Sequence, residues 1–207
     1  MHADAHRGVT GAIVAGGANE RFGGEPKGLR RVGGIRIIDR VASAIRAVTP
    51  EIVLVANASD AEQWLAGVRV YRDVRSERGS VVGLHTAIAS IPADAIALVV
   101  AWDMPFVSAG LLSLLAGRVR EGASAAIPER RAGPEPFCAA YTASCLADIE
   151  RALGRGDFRM SSIVAALPNV SRVRDAEVRS FGDPARLFFN VNTLADLETA
   201  ERMAADA

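Results

Sequence analysis

The chain has 207 residues, half of them hydrophobic, so it is long enough to bury a full core and short enough to do so as one domain. Its 24 acidic and 24 basic side chains cancel, leaving no charge excess to draw it to nucleic acid or an anionic membrane; small charged substrates held in a local site are the expected partners. Two cysteines, Cys138 and Cys145, are too few for a disulfide framework or a metal cluster and suit a reducing cytoplasm, and no apolar run reaches the length of a membrane span.

Residues 1–8 are polar and expected to be disordered, with no signal peptide. An apolar run at 9–15 reads as a short buried strand, and 16–29 is too rich in glycine to be anything but a loop. Ile37, Ile38, Val41, Ala44, Ile45 and Val48 recur at three- and four-residue spacing, which predicts an amphipathic helix over 37–48, ended by Pro50. Residues 52–56 form a continuous apolar strand of the kind buried on both faces of a parallel sheet. Asn57 to Asp60 then reads as the cap of a helix running to Leu65. A third strand at 68–72 ends in Asp73, a helix follows over about 79–91, and the clearest strand, 95–101, stops at Trp102-Asp103. A helix at 108–121 and a strand at 125–127 continue the alternation, which predicts an open, mostly parallel α/β sheet with helices on both faces, a Rossmann-like arrangement. Beyond Glu129 the pattern is less regular: strands are expected at 137–141, 170–178 and 188–191, and helices at 145–153, 161–167 and 192–205.

The glycine loop carries the first chemical signal. Its two Gly-Gly pairs, Gly16-Gly17 and Gly23-Gly24, let the backbone approach a ligand and turn N–H groups toward one point, which makes an anion nest suited to a phosphate chain. Arg21 and Lys27 lie on the same loop, and Lys27 is the only lysine among the 24 basic residues. Where arginine is the default cation, that exception points to a need for a compact, flexible point charge. The loop is not a Walker loop, because Lys27 precedes Gly28 rather than Ser or Thr, and the chain holds no full G-x-G-x-x-G. Ligands of open α/β sheets lie beyond the carboxyl ends of the strands, which gathers the loop, Asn57, Asp73, Asp103 and Asn190 onto one rim. A carboxylate at the end of a wholly apolar strand needs a partner: for Asp103 a divalent cation bridging phosphates is expected, with capping of the helix near Ser108 as the structural alternative.

The stretch Val14-Ala15-Gly16-Gly17, Arg21, Gly23-Gly24 and Lys27-Gly28-Leu29 resembles the L-A-G-G-x-x-x-R-M-G-G-x-D-K-G-L signature of the molybdenum cofactor guanylyltransferases and their wider nucleotidyltransferase group. Val14 stands for the leucine, Phe22 for the methionine, and Glu25-Pro26 stands where an acidic residue directly precedes the lysine. Asp103-Met104-Pro105-Phe106 matches D-x-P-[FY], with Trp102 in place of the frequent cysteine. Asp73 precedes an altered G-P-L-A-G element, Gly79 to Leu84. Glu135-Pro136-Phe137-Cys138-Ala139-Ala140-Tyr141 resembles [EH]-P-x-x-A-x-[YW], and Asn190-Val191-Asn192-Thr193 resembles N-x-N-T; the likeness runs from about residue 11 to 197. An asparagine that the family uses near the base aligns with Val55, two residues before Asn57. Thr193 and Asp196 also form a capping-box-like pair, which would explain the last motif as helix initiation alone.

The resemblance implies transfer of GMP from GTP to molybdopterin with release of pyrophosphate, Mg²⁺ as the cofactor, and Asp103 as its ligand. Lys27, Arg21 and Asp103 are implied as the catalytic residues. Val14, Ala15, Gly16, Gly17, Gly23, Gly24, Lys27, Asn57, Asp73 and Asp103 are implied as nucleotide-binding, and Asn190 and Asn192 as acceptor-binding. One domain is expected, with about 9–128 binding the nucleotide and about 129–207 the acceptor. The expected protein is a cytoplasmic monomer with no nucleic-acid or membrane partner, touching molybdoenzyme maturation proteins transiently. A sister activity with CTP or another nucleotide and a different phosphorylated acceptor stays open, as does a non-catalytic nucleotide-binding role.

Overall fold

In chain order the first half comprises β1 (Val9–Ala15), a 3-10 turn at Lys27–Leu29, the hairpin β2 (Arg31–Val32) and β3 (Ile35–Arg36), α1 (Ile37–Arg46), β4 (Ile52–Ala56), β5 (Arg69–Tyr71), α2 (Ser80–Ala89), β6 (Ile96–Ala101) and α3 (Ala109–Arg120). The second half comprises β7 (Ala125–Arg130), β8 (Gly133–Pro134), β9 (Cys138–Thr142), α4 (Leu146–Gly154), α5 (Met160–Ala166), β10 (Val170–Arg174), α6 (Asp175–Val178), α7 (Pro184–Leu187) and α8 (Leu194–Ala205). This computed structural model describes residues 8–16, 26–73 and 79–206. Residues 1–7 and the loop residues Gly17, Arg21, Gly23 and Gly24 lie outside the described residues, and with them the expectations placed on them.

Among the described residues the main sheet has eight strands, in the order β10-β7-β9-β6-β1-β4-β5 with β8 paired to β7. The β6-β1-β4-β5 block is parallel, as is β7 with β10, while β9 runs antiparallel between β6 and β7. The period of two along each strand sorts side chains between two cores. Ile96, Leu98 and Val100 of β6 pack with Ile38, Val41 and Ile45 of α1 and with Leu111 and Leu115 of α3. Ala97 and Val99 face the other way, with Val81 of α2, Ile149 of α4 and Ile163 of α5. Burying each such Ile, Leu or Val contributes about 1.5–3 kcal/mol, so two filled faces explain why β1, β4 and β6 read as unbroken apolar runs. The expected sheet with helices on both faces is therefore present. Residues from both halves of the chain share it in one domain.

Three expected elements differ. The helix expected from Asn57 to Leu65 is only a 3-10 turn, Ala61–Gln63, because the Asn57 side chain bonds Asp73 instead of capping, and Gly67 at φ +73 turns the chain. The strand expected over 170–178 stops at Arg174; Asp175 and Glu177 favour a helix N-terminus, and α6 continues to bury Val178. No strand forms at 188–191. Phe188 and Val191 are apolar because they are buried, and the Val191 N–H is given to the Asp103 carbonyl (2.9 Å) rather than to a ladder.

Candidate active site

A cleft of about 860 Å³ opens at the carboxyl ends of β4, β1 and β6, where parallel strands all deliver their terminal residues to one rim. Val14, Ala15 and Gly16 form its floor at the end of β1, and the Val14 carbonyl accepts the Trp102 N–H at 3.1 Å. Gly79, at φ +148, lets the chain turn sharply into α2, whose first residues, Ser80 among them, line the wall.

At the centre the Lys27 ammonium donates to Asp103 Oδ2 and, at 2.8 Å, to Asn192 Oδ1. Their positions, 76 and 165 residues from Lys27 in sequence, meet at one cation. The Lys27 and Asp103 side chains retain only 12% and 11% of their exposure, so this is a partly desolvated pair rather than a surface bridge. The adjoining backbone is held by packing. Trp102, 2% exposed, stacks on Trp64 with ring centroids 5.0 Å apart and planes 18° from parallel. Gly28 closes against the same indole, and a Cβ there would lie 2.3 Å from Trp102 Cε3. The residue after Lys27 thus rests on the residue before Asp103.

At one end of the cleft Asn57 and Asp73 follow the neighbouring strands β4 and β5. Asn57 Nδ2 donates to Asp73 Oδ2 (2.6 Å), and Asn57 Oδ1 accepts the Asp73 N–H (2.9 Å). Thr86 Oγ1 of α2 donates to the other carboxylate oxygen at 3.2 Å. The Asn57 amide is therefore committed to Asp73, and what this end presents to a ligand is an oriented carboxylate. At the opposite end stands Glu135, paired with Arg130 at 3.3 Å; burial raises its pKa above the ordinary range, and Arg130 partly offsets that. Asn190 also lines the cleft, its Nδ2 donating to the Phe188 carbonyl at 3.0 Å. The α8 cap is made by Thr193 Oγ1, which accepts the Asp196 N–H at 3.2 Å, while the Asn192 N–H donates to Asp196 Oδ2 at 3.0 Å. Thr193 and Asp196 start the helix as the capping reading expects, and the Asn192 side chain is left to accept from Lys27.

The model of the MobA-like NTP transferase domain matches residues 11–172, which include the glycine loop, Asp73 and Asp103. The chain belongs to the MobA-like NTP transferase family. It is a nucleotidyltransferase. A molybdenum cofactor guanylyltransferase of Desulfosudis oleivorans is 36% identical over 197 residues, 93% of this chain and 94% of that one. A probable molybdenum cofactor guanylyltransferase of Pelotomaculum thermopropionicum is 34% identical, with 95% and 93% covered. The crystal structure of molybdopterin-guanine dinucleotide biosynthesis protein A from Archaeoglobus fulgidus superposes with a TM-score of 0.79 at 27% identity, covering 96% of this chain and all of that one.

Within this MobA-like cleft the fold unites Val14, Ala15, Gly16, Asn57, Asp73, Asp103, Asn190 and Asn192 along one lining, with Lys27 bonded to it. Two contributors escape a reading of the sequence. Thr86 is wholly buried inside the apolar α2 run, where a lone threonine was the available signal, and Trp64 is seen only once its ring meets Trp102.

Proposed function

We propose that the chain transfers GMP from GTP to the terminal phosphate of molybdopterin, releasing pyrophosphate. The observation that carries this reading is the Lys27 ammonium shared by Asp103 and Asn192 at the end of the glycine loop. A cation and two hard oxygens meeting at one point beside that loop suit a phosphate chain and its metal. The guanylyltransferase names of relatives at 36% and 34% identity supply the base and the acceptor.

An acceptor phosphate oxygen forms a bond to the α-phosphorus of GTP as the bond to the bridging oxygen breaks, and pyrophosphate leaves with that electron pair. The acceptor is already anionic, so no side-chain nucleophile is needed, and the protein's contribution is positioning and charge neutralisation. Lys27 and Arg21, with the N–H groups of Gly16, Gly17, Gly23 and Gly24, balance charge on the leaving pyrophosphate. Val14, Ala15 and Asp73 seat the nucleoside, Asn57 orients Asp73, and Asn190 and Asn192 hold the acceptor. Asp103 and Asn192 suit Mg²⁺ because their oxygens already share one cation, and Mg²⁺ is commonly bound through one or two carboxylates, substrate phosphates and water. Asp103 would take the ion together with phosphate oxygens of the nucleotide. Bound there, Mg²⁺ would neutralise charge on the α and β phosphates. The part over 9–128 binds the nucleotide and that over 129–207 the acceptor; the enzyme acts as a cytoplasmic monomer, with transient contacts to molybdoenzyme maturation proteins.

The test is thermal unfolding with GTP, CTP, ATP or UTP, each with and without Mg²⁺, followed by turnover. A ligand at a hundred times its Kd stabilises by about 2.7 kcal/mol. GTP-selective, Mg²⁺-enhanced stabilisation is expected, as is a loss in kcat of about a hundredfold for Lys27→Ala or Asp103→Ala with the fold intact. A CTP-selective response would overturn the guanylyl assignment.

A further inference from the structure

Polar groups stand in strand order along the carboxyl end of the sheet. Asp73 follows β5, Asn57 follows β4, Gly16 follows β1 and Asp103 follows β6. Glu135 lies just before β9, which is antiparallel and so begins where β6 ends. With neighbouring strands about 4.8 Å apart, the four spacings from β5 to β9 separate Asp73 from Glu135 by about 19 Å, with the cation-binding oxygens of Asp103 and Asn192 between them. A cleft with a carboxylate at each end and a phosphate site between them fits two substrates joined through phosphate. If nucleoside and triphosphate take the β5-to-β6 portion, the acceptor lies over β9.

Of the acidic side chains lining the cleft, Asp73 and Asp103 belong to the nucleotide portion, which leaves Glu135 for the acceptor. Its backbone is fixed on both sides, its N–H donating to the Pro128 carbonyl (2.9 Å) and its carbonyl accepting the Cys138 N–H (3.1 Å). Arg130 holds Oε1, and Oε2 has no partner among the described residues. The Phe137 side chain, two residues on, belongs to the same wall. A carboxylate there would repel the acceptor's phosphate but would accept N–H donors from a flat heterocycle lying beside the phenyl ring. A 2-amino-4-oxo-pteridine carries two such donors side by side, the ring N–H and the exocyclic amine, in the geometry that carboxylates bind in a fork.

We propose that Glu135, supported by Arg130, sets acceptor specificity by receiving the ring N–H and the 2-amino group of the pterin. This rests on the guanylyltransferase reading given above, because the pterin enters through it. Burial disfavours an ionised Glu135, and the Arg130 guanidinium opposes that penalty, so the pair keeps a recognising carboxylate in a half-closed wall.

Binding of pterin itself, 2-amino-4-oxo-pteridine, followed by its own fluorescence, is compared with binding of lumazine, which carries a 2-oxo group in place of the amine. Both are measured on the full chain with Mg²⁺ and a non-hydrolysable GTP analogue. Wild-type protein is expected to prefer the pterin by about tenfold or more, since losing one hydrogen bond to a charged partner costs on that order. Glu135→Gln should erase the preference, because its amide N–H₂ meets the pterin amine donor to donor, while Glu135→Asp should keep part of it. Thermal stabilisation by GTP should be unchanged in both. Equal binding of pterin and lumazine by wild type, or an undiminished preference in Glu135→Gln, would overturn the assignment. If Glu135→Gln does not fold, the wild-type comparison and Glu135→Asp decide: a preference reduced by shortening the side chain supports the assignment, and full retention overturns it. Failure of GTP to stabilise the wild type is a separate result, which counts against the guanylyltransferase reading whatever the pterin comparison gives.

Discussion

Adding one methyl group at Gly28 should disable the site without touching a charged residue. In Gly28→Ala the new Cβ would stand 2.3 Å from Cε3 and 2.7 Å from Cδ2 of Trp102, where ordinary contact begins at 3.4 Å. The indole is 2% exposed and stacked on Trp64, so it cannot swing into solvent. The overlap of about 1 Å falls on the 3-10 turn instead, and the neighbour carried with it is Lys27. Overpacking of this kind costs about 1–3 kcal/mol. At about 2–4 °C per kcal/mol for a chain of this size, that lowers Tm by about 2–12 °C. A displacement of about 1 Å in a positioning group costs on the order of a hundredfold in rate, so kcat should fall by about that factor while far-ultraviolet circular dichroism at 25 °C is retained. Adding Trp102→Leu should make room for the methyl group, giving a coupling of about 1 kcal/mol between the two sites in a double-mutant cycle on Tm. Wild-type Tm and kcat in Gly28→Ala would refute the argument that this contact positions Lys27 against Asp103.

Other changes separate structure from chemistry. Thr193→Ala should cost about 1 kcal/mol through loss of the α8 cap and leave kcat near wild type, whereas Asn192→Ala, whose side chain does not cap, should lower kcat with little change in Tm; chemical denaturation and turnover assays check both. Burial and Asp175 push the Glu135 pKa up, and Arg130 on β7 works against them. A raised folded-state pKa contributes stability that is present below the unfolded value and lost as pH rises through the folded value, so wild type should lose stability relative to Glu135→Gln just above the ordinary glutamate range. Acceptor affinity should move the other way, weakening as acid protonates Glu135; denaturation and pterin titrations from pH 4 to 8 read the two trends. Cys138 is fully buried and its thiol is pushed well above the ordinary cysteine range, and burial also raises Cys145, so neither should react with a disulfide reagent until the protein unfolds, as a colorimetric thiol assay would show.

Much of this architecture is legible in one dimension because its causes are local. The apolar runs of β1, β4 and β6 are continuous because both faces of those strands are covered, and the three- and four-residue spacing of α1 records its single buried stripe. The carboxyl-end rule then gathers Asp73, Asp103 and Asn57 on one rim. Short apolar stretches without period are not legible in this way. Phe188 to Val191 has the composition of a strand, yet Val191 bonds to the Asp103 carbonyl and its segment passes the cleft as irregular chain. Asn57 has the composition of a helix cap, and whether it caps or pairs depends on a residue sixteen positions away.

The amino-acid sequence by itself determined the parallel α/β class and the rim that carries Asp103 and the loop of Lys27, because propensity, periodicity and the place of a charge at a strand end are properties of neighbouring residues. Only the tertiary structure decided that Lys27 is shared between Asp103 and Asn192, that Asn57 and Thr86 orient Asp73, and that Glu135 faces the far end of the same cleft. Those pairings depend on which strands become neighbours and on the reversed direction of β9. Strand order is set by packing two faces of one sheet at once, a condition that no local stretch of sequence contains.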